Sequence, residues 1–329
     1  QQDRAVVSGR VRDDEVRLAF LVGRLARGGA ELQMLALTRG LTRRGYRVDF
    51  VCRSGSGPLD EHARAAGATV RAIGELSSFE TKPYLRHARR ATRQLNWVTT
   101  ARREQYDIVD AWLQPADIFA ALTRPMTHIP VLIAGRRNMR PRPSFGPVDR
   151  LLYSAVNRLT DVVVANAEIT AAQAILQQGV PPERVRVIRA GVELPRAYRA
   201  SERQAQRAAL GAADDDFLIG SVGNFRSMKR QDLLIDAFAR LAAERKDLRL
   251  ALVGDGELRS RVEAQIVRLG LTERVVLTGT GTDMPSLYAA FDLFVQASNS
   301  ESLPNVVLEA SSASLPIVAA AAGGTGEVI

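Results

Sequence analysis

The sequence predicts an α/β protein made of two Rossmann-like domains facing a central cleft. Three observations carry this. Short apolar runs of strand length alternate with helix-patterned segments along most of the chain, which is the mark of parallel βαβ units. The alternation lapses after Gly191 and restarts at Phe217. A chain of 329 residues also has room for about two domains of roughly 150 residues each. In such sheets ligands sit outside the carboxyl ends of the strands.

The elements follow in order. Val16-Arg-Leu-Ala-Phe-Leu-Val22 reads as the first strand. A helix from Ala30 to Arg44 carries Leu32, Leu35, Leu37 and Leu41 on an apolar face. Gly45 stops it, and Tyr46 to Val51 is the second strand. Strands are then expected at 69–73, 108–112, 131–134, 161–165 and 185–188. Helices at 58–66, 83–103, 116–122, 148–159 and 167–177 separate them. In the second half, strands are expected at 217–222, 248–253, 275–277, 293–297 and 316–320. Helices lie at 231–243, 257–269 and 285–290, with one more starting near Pro304, since Pro favours the first helical position. The domain reading is a polar, disordered tail at 1–15, a first domain at 16–195, a linker at 196–216 and a second domain at 217–329. The linker holds one short helix, Glu202 to Leu210.

Composition narrows the function classes. The chain is 46% hydrophobic and 25% charged, as usual for a folded globular protein. No apolar run reaches the roughly 18 residues of a membrane span, and the start has no signal-peptide pattern. Cys52 is the single cysteine and reads as a buried thiol. His62, His87 and His128 are scattered and give no zinc spacing. Charge is uneven. Residues 1–200 hold 32 basic and 19 acidic residues, net +13, and the remainder is net −4. A basic half suits an anionic lipid surface, nucleic acid or an anionic substrate.

Four strand-end loops are candidates for chemistry. Glu301-Ser-Leu-Pro-Asn-Val-Val-Leu-Glu309 brackets a helix start with two carboxylates. The N–H groups of Asn305, Val306 and Val307 would face a phosphate, and the carboxylates would accept bonds from sugar or ribose hydroxyls. Two glutamates eight apart also occur by chance. Arg27-Gly28-Gly29-Ala30-Glu31 lets backbone N–H groups approach a phosphate, although such glycines are more often turn formers. Val222-Gly-Asn-Phe-Arg226-Ser-Met-Lys229 places two cations at a strand end, where they would neutralise a diphosphate or form a solvated basic turn. Thr278-Gly279 could let a flat base lie on the backbone.

Taken together, these loops resemble retaining glycosyltransferases of family 4, with the GT-B fold. The resemblance rests on Gly28-Gly29-Ala-Glu31, Asp161-Val-Val-Val-Ala-Asn166, Val187-Ile-Arg-Ala-Gly191-Val-Glu193, Val222 to Lys229, Leu252-Val-Gly-Asp-Gly256, the pair Glu301 and Glu309, and Gly323-Gly324 with Glu327. It implies a nucleotide-sugar donor, with a UDP-sugar expected. It gives Glu301, Arg226 and Lys229 catalytic roles. It gives donor contacts to Gly28, Gly29, Asn224, Arg226, Lys229, Gly279, Asn305, Val306 and Glu309. Glu309 takes the ribose hydroxyls, Glu301 lies near the sugar, and Lys229 and Arg226 hold the diphosphate. Arg137 and Asn138 fall on the acceptor side. The implied acceptor is a glycan or lipid-linked molecule used in envelope or polysaccharide synthesis. Neither a cofactor, a metal nor a nucleic-acid partner is expected. Asp214-Asp-Asp216 reads as surface charge.

Three departures stand out. Asn224 replaces an Arg common in the family, Ala190 and Ala167 replace a common Asn and Ser, and the chain stops short of the family's last helices. The competing readings are a nucleotide-sugar epimerase on the same fold, a non-catalytic binder, or a glycoside hydrolase using the two glutamates. The basic runs 80–104 and 136–142 read either as a solvated helix face, the commoner case, or as a docking surface for anionic lipid, which would make this a cytoplasmic protein peripheral on the inner face of the membrane. Arg86, Arg89, Arg90 and Arg93 are spaced to share one helix face.

Overall fold

The computed structural model describes residues 16–26, 28–74, 83–113, 115–138, 146–192, 198–280 and 283–329. Side chains at 83–89 and 147–148 are also outside the description. The chain divides into two compact units, 1–189 and 190–329.

The first unit runs β1 (Arg17–Val22), α1 (Gly29–Thr42), β2 (Arg47–Cys52), α2 (Asp60–Ala65), β3 (Thr69–Ala72), α3 (Pro83–Glu104), β4 (Ile108–Trp112), α4 (Ala116–Thr127), β5 (Val131–Arg136), α5 (Pro147–Arg158), β6 (Val162–Ala165), α6 (Glu168–Gln178) and β7 (Val185–Val187). Its seven strands lie in the order β3-β2-β1-β4-β5-β6-β7. Every described pairing is parallel. Parallel sheets bury both faces, and β1 shows it. Leu18, Phe20 and Val22 pack on one face with Phe50 and Trp112. Ala19 and Leu21 pack on the other with Trp97, Val109 and Leu132.

The second unit runs α7 (Ala200–Ala209), β8 (Phe217–Val222), α8 (Gln231–Glu244), β9 (Leu248–Val253), α9 (Arg259–Arg268), β10 (Val275–Gly279), α10 (Met284–Ala290), β11 (Leu293–Gln296), α11 (Asn305–Ser312) and β12 (Ile317–Ala319). Its strand order is β10-β9-β8-β11-β12. Gly220 in β8 has no room for a side chain, because the Phe291 ring fills that space. The helix α7 lies inside the stretch 196–216 and is tied to this unit. Arg207 is buried and donates to the Asp292 carboxylate at 2.8 Å and to the Ala290 carbonyl at 3.1 Å.

Both sheets therefore reverse strand order at one place. In the first, the chain winds outward to one side from β1 and to the other from β4. In the second, the reversal lies between β8 and β11. Connections leave to opposite sides there, so a crevice opens at the carboxyl ends of the two strands.

Candidate active site

The crevice of the second unit is bounded by the loops after β8 and β11. The loop after β8 tightens into a 3-10 turn, Ser227–Lys229. Arg230 follows in the left-handed region at φ 51°. A non-glycine residue held there costs about 1–3 kcal/mol, and such strain clusters at ligand sites. The turn aims Lys229 across the crevice. Its ammonium donates to Glu301 at 2.6 Å. Gln296, the last residue of β11, donates its amide N–H to the same carboxylate oxygen at 3.1 Å. Glu301 is 8% exposed, so this carboxylate depends on its two donors. The two loops are also joined by backbone, with the Asn299 N–H donating to the Met228 carbonyl at 2.9 Å. The Lys229 stem lies over Gly223.

Glu309 sits one turn into α11. The Tyr288 hydroxyl from α10 donates to its carboxylate at 2.8 Å. Burial raises the Glu309 pKa above the usual carboxylate range, with the Tyr288 bond pulling the other way. A half-buried carboxylate with one fixed donor has lone pairs left for further hydroxyl donors. Gly279 ends β10 at φ 71°, and its carbonyl accepts from the Gly254 N–H at 2.7 Å.

In the first unit, the reversal point lies between the ends of β1 and β4. Gly28 caps α1 in an extended conformation. The Glu31 carboxylate lies against it, 2.5 Å from where a Cβ on Gly28 would stand. Burial raises the Glu31 pKa. Beyond β4, Leu113 is held at φ 65°. Asp110, inside β4, is buried, and one carboxylate oxygen accepts from the Trp112 indole N–H at 2.6 Å. The other has no hydrogen-bond partner among the described residues. Burial pushes the Asp110 pKa up to about 6, against the pull of Arg137. The Arg137 guanidinium stacks on Trp112, 3.4 Å from the ring centre. Its neighbour Arg136 is buried and paired with Asp117.

Residues 27–196 match the family described as Glycosyltransferase Family 4, and residues 202–329 match Glycosyl transferases group 1. The chain belongs to glycosyltransferase family 4. It is 26% identical to EpsF of Bacillus subtilis, whose glycosyltransferase name is provisional, over 94% of this chain and 80% of that one. It is 29% identical to the D-inositol 3-phosphate glycosyltransferase of Mycobacterium tuberculosis. That match covers 90% of this chain but only 65% of the mycobacterial protein. Among solved structures, Anabaena Alr3699/HepE in complex with UDP-glucose superposes with a TM-score of 0.81 at 27% identity, covering 96% of this chain and 83% of that one. The fold is GT-B, as in that neighbour.

The family-4 chain thus brings Lys229 and Glu301 together directly. Arg226 is exposed and makes no ion pair among the described residues, and Asn224 is exposed beside it. Val307 differs from the sequence reading, because its N–H already donates to the Pro304 carbonyl at 3.1 Å. Pro304 caps α11 and does not open it, so Asn305 and Val306 form the first turn. Arg137 is half-buried while Asn138 is exposed. Arg90 and Arg93 are three apart on α3 and share a side of it, but the Arg93 Nε is buried next to Gly74 and does not face solvent. The side chains of Arg86 and Arg89, and residues Arg140 and Arg142, lie outside the description. Tyr288 and Gln296 went unnoticed in the sequence, because each sits in an ordinary apolar-patterned element.

Proposed function

We propose that the protein is a metal-independent retaining hexosyltransferase that moves a sugar from a UDP-sugar to a glycan or lipid-linked acceptor in envelope or polysaccharide synthesis. The observation that carries this reading is the 2.6 Å Lys229–Glu301 pair at the strand-order reversal of the second unit. The UDP-glucose complex of Alr3699/HepE supports the donor class.

The residues would divide the work as follows. Glu309, oriented by Tyr288, accepts the ribose hydroxyls. Lys229 turns from Glu301 to the diphosphate, joined by Arg226. The bond from the sugar anomeric carbon to the β-phosphate oxygen breaks, leaving negative charge on that phosphate. Once turned, the ammonium stabilises that charge as it develops. The acceptor oxygen bonds the same face of the anomeric carbon, and its proton passes to the leaving phosphate oxygen. Glu301, released from Lys229, accepts from sugar hydroxyls. Because side-chain cations supply the charge, the proposal needs no metal.

The proposed setting is the cytoplasmic face of an anionic membrane. Among the described residues no helix is long and apolar enough to cross a bilayer. Support comes from α3, where Arg90, Arg102 and Arg103 are exposed and Leu95 on the same helix is 67% exposed. Each basic residue near such a surface contributes about 1 kcal/mol.

The test is calorimetric titration of the protein with a panel of nucleotide-sugars, followed by NMR of the product made from the donor that binds. Binding of a UDP-sugar and an α-linked product from an α-donor are expected. Failure of every nucleotide-sugar to bind, or an inverted product, would remove the proposal.

A further inference from the structure

A second cluster of cations lies in the first unit, and the donor chemistry does not use it. It is built from four elements. Arg53 follows β2, and its N–H donates to the Val22 carbonyl at 2.9 Å, so it lies at the carboxyl edge of the sheet. Its guanidinium carbon stands 4.6 Å from the centre of the Phe119 ring on α4. Arg93 reaches in from α3. Its side chain crosses Gly74, just past β3, where a Cβ would stand 2.8 Å from the Arg93 Nε and 2.5 Å from the Arg53 carbonyl oxygen. Only a glycine leaves room for that crossing.

The Arg93 side chain therefore packs against the Arg53 backbone, and both half-buried cations lose hydration, which is costly for a charge without a counter-ion. The Arg53 pKa is lowered to about 10, first by burial and then by Arg93. An ordinary structural arginine has a carboxylate to offset this. Arg136, on the same edge of the sheet, has Asp117. Arg53 and Arg93 have no ion-pair partner among the described residues, and the Nε of each is buried without a hydrogen bond. Asp117 is the carboxylate that acts favourably on Arg53, and it is already committed to Arg136.

We infer that Arg53 and Arg93 form a receptor for an oxyanion, a phosphate or carboxylate carried by the acceptor. This rests on the transferase reading and names its second substrate class. The donor diphosphate is assigned to Lys229 in the other unit, so this pair has a different anion to hold. The carboxyl edge of the first sheet is where a second substrate would lie by the rule for such sheets. Arginine suits the task, because its planar fork takes two oxygens of one anion. Phe119 supplies an apolar wall that holds the Arg53 guanidinium in place.

The experiment is titration of the full chain, with UDP present at saturation to occupy the donor phosphate positions. The probes are glucose 6-phosphate, glucuronate and glucose, and the proteins are wild type, R53Q, R93Q and R44Q. Expected is binding of glucose 6-phosphate or glucuronate but not glucose, tenfold or more weaker in R53Q and R93Q and unchanged in R44Q, whose arginine is exposed after α1. Binding of only one of the two anions tells phosphate from carboxylate. Without ligand, R53Q and R93Q should melt at or above the wild-type temperature, because each removes a half-buried cation without a counter-ion. Equal binding of glucose, no binding of either anion, or unchanged affinity in both variants would overturn the inference. Lower melting of both variants would do the same, since it marks a structural role. Failure of UDP itself to bind would count against the transferase reading alone, because the anion titration is then still read in the same four proteins.

Discussion

Replacing Lys229 by Met tests the centre of the donor site through stability before any substrate is added. Glu301 is 8% exposed and the Lys229 side chain 22%. Removing one partner of a fully buried pair costs about 3–5 kcal/mol, because the remaining charge is left uncompensated. Partial exposure of Lys229 lets solvent screen the pair, and the Gln296 amide still donates to Glu301, so we expect about 2–3 kcal/mol. For a unit of this size that is a fall in Tm of roughly 6–9 °C. The double variant K229M/E301Q removes the orphaned charge and should recover more than half of the loss. Differential scanning calorimetry at neutral pH without nucleotide reads both effects. The same K229M protein should bind UDP about ten- to a hundredfold more weakly while uridine binding stays unchanged, for the loss of a charge-assisted bond worth about 1.5–3 kcal/mol. A K229M protein that melts with wild type, or a double variant as unstable as the two single losses added, would refute the pairing argument.

Glu309→Gln should act in the opposite direction on stability. The folded state disfavours the charged form of Glu309, so the native protein loses stability as pH rises above the unfolded carboxylate pKa. E309Q should therefore melt higher than wild type at pH 7, with the gap closing toward pH 4, and should weaken UDP and uridine alike; unchanged uridine affinity would remove the ribose role. Asp110→Asn should stabilise by about 3 kcal/mol at pH 7.5, from about 1.36 kcal/mol per unit across the rise from 3.8 to about 6. That gain should vanish as pH falls through 6 toward 4, and urea melts at several pH values would expose a flat difference. Arg226→Ala should leave Tm unchanged and weaken UDP severalfold; equal UDP affinity would take Arg226 out of the site. EDTA should leave transfer intact, and inhibition reversed by magnesium or manganese would overturn the metal-independent proposal.

The fold class was legible because parallel strands buried on both faces leave short continuous apolar runs. Leu18 to Val22 is one such run, and its alternate residues enter two different cores. Helix ends were less legible. The sequence reading ends α4 at Leu122, yet it continues to Thr127 through Pro125. Arg124 makes this possible by donating to the carbonyls of Ile129, Pro130 and Leu159, a tertiary arrangement with no local sign. The site was legible where charge stands in a strand-end loop, as with Lys229, Glu301 and Glu309. Tyr288 and Gln296 were not, since only packing of α10 on α11 and the end of β11 bring them to the carboxylates. Arg53 was also missed, because a lone arginine after a strand has no local signature until Gly74 and Arg93 close on it.

The Lys229–Glu301 contact has a consequence for selectivity. With the site empty, Glu301 is an internal competitor for the cation that the donor phosphates are proposed to use. Any incoming anion must displace a carboxylate held 2.6 Å away. A single small anion such as inorganic phosphate gains one new contact and loses one old one, so it exchanges at little net advantage. A nucleotide brings further anchors, including the ribose hydroxyls at Glu309, and can drive the exchange. We expect this arrangement to keep abundant free phosphate from occupying the donor site, without a lid or a gate.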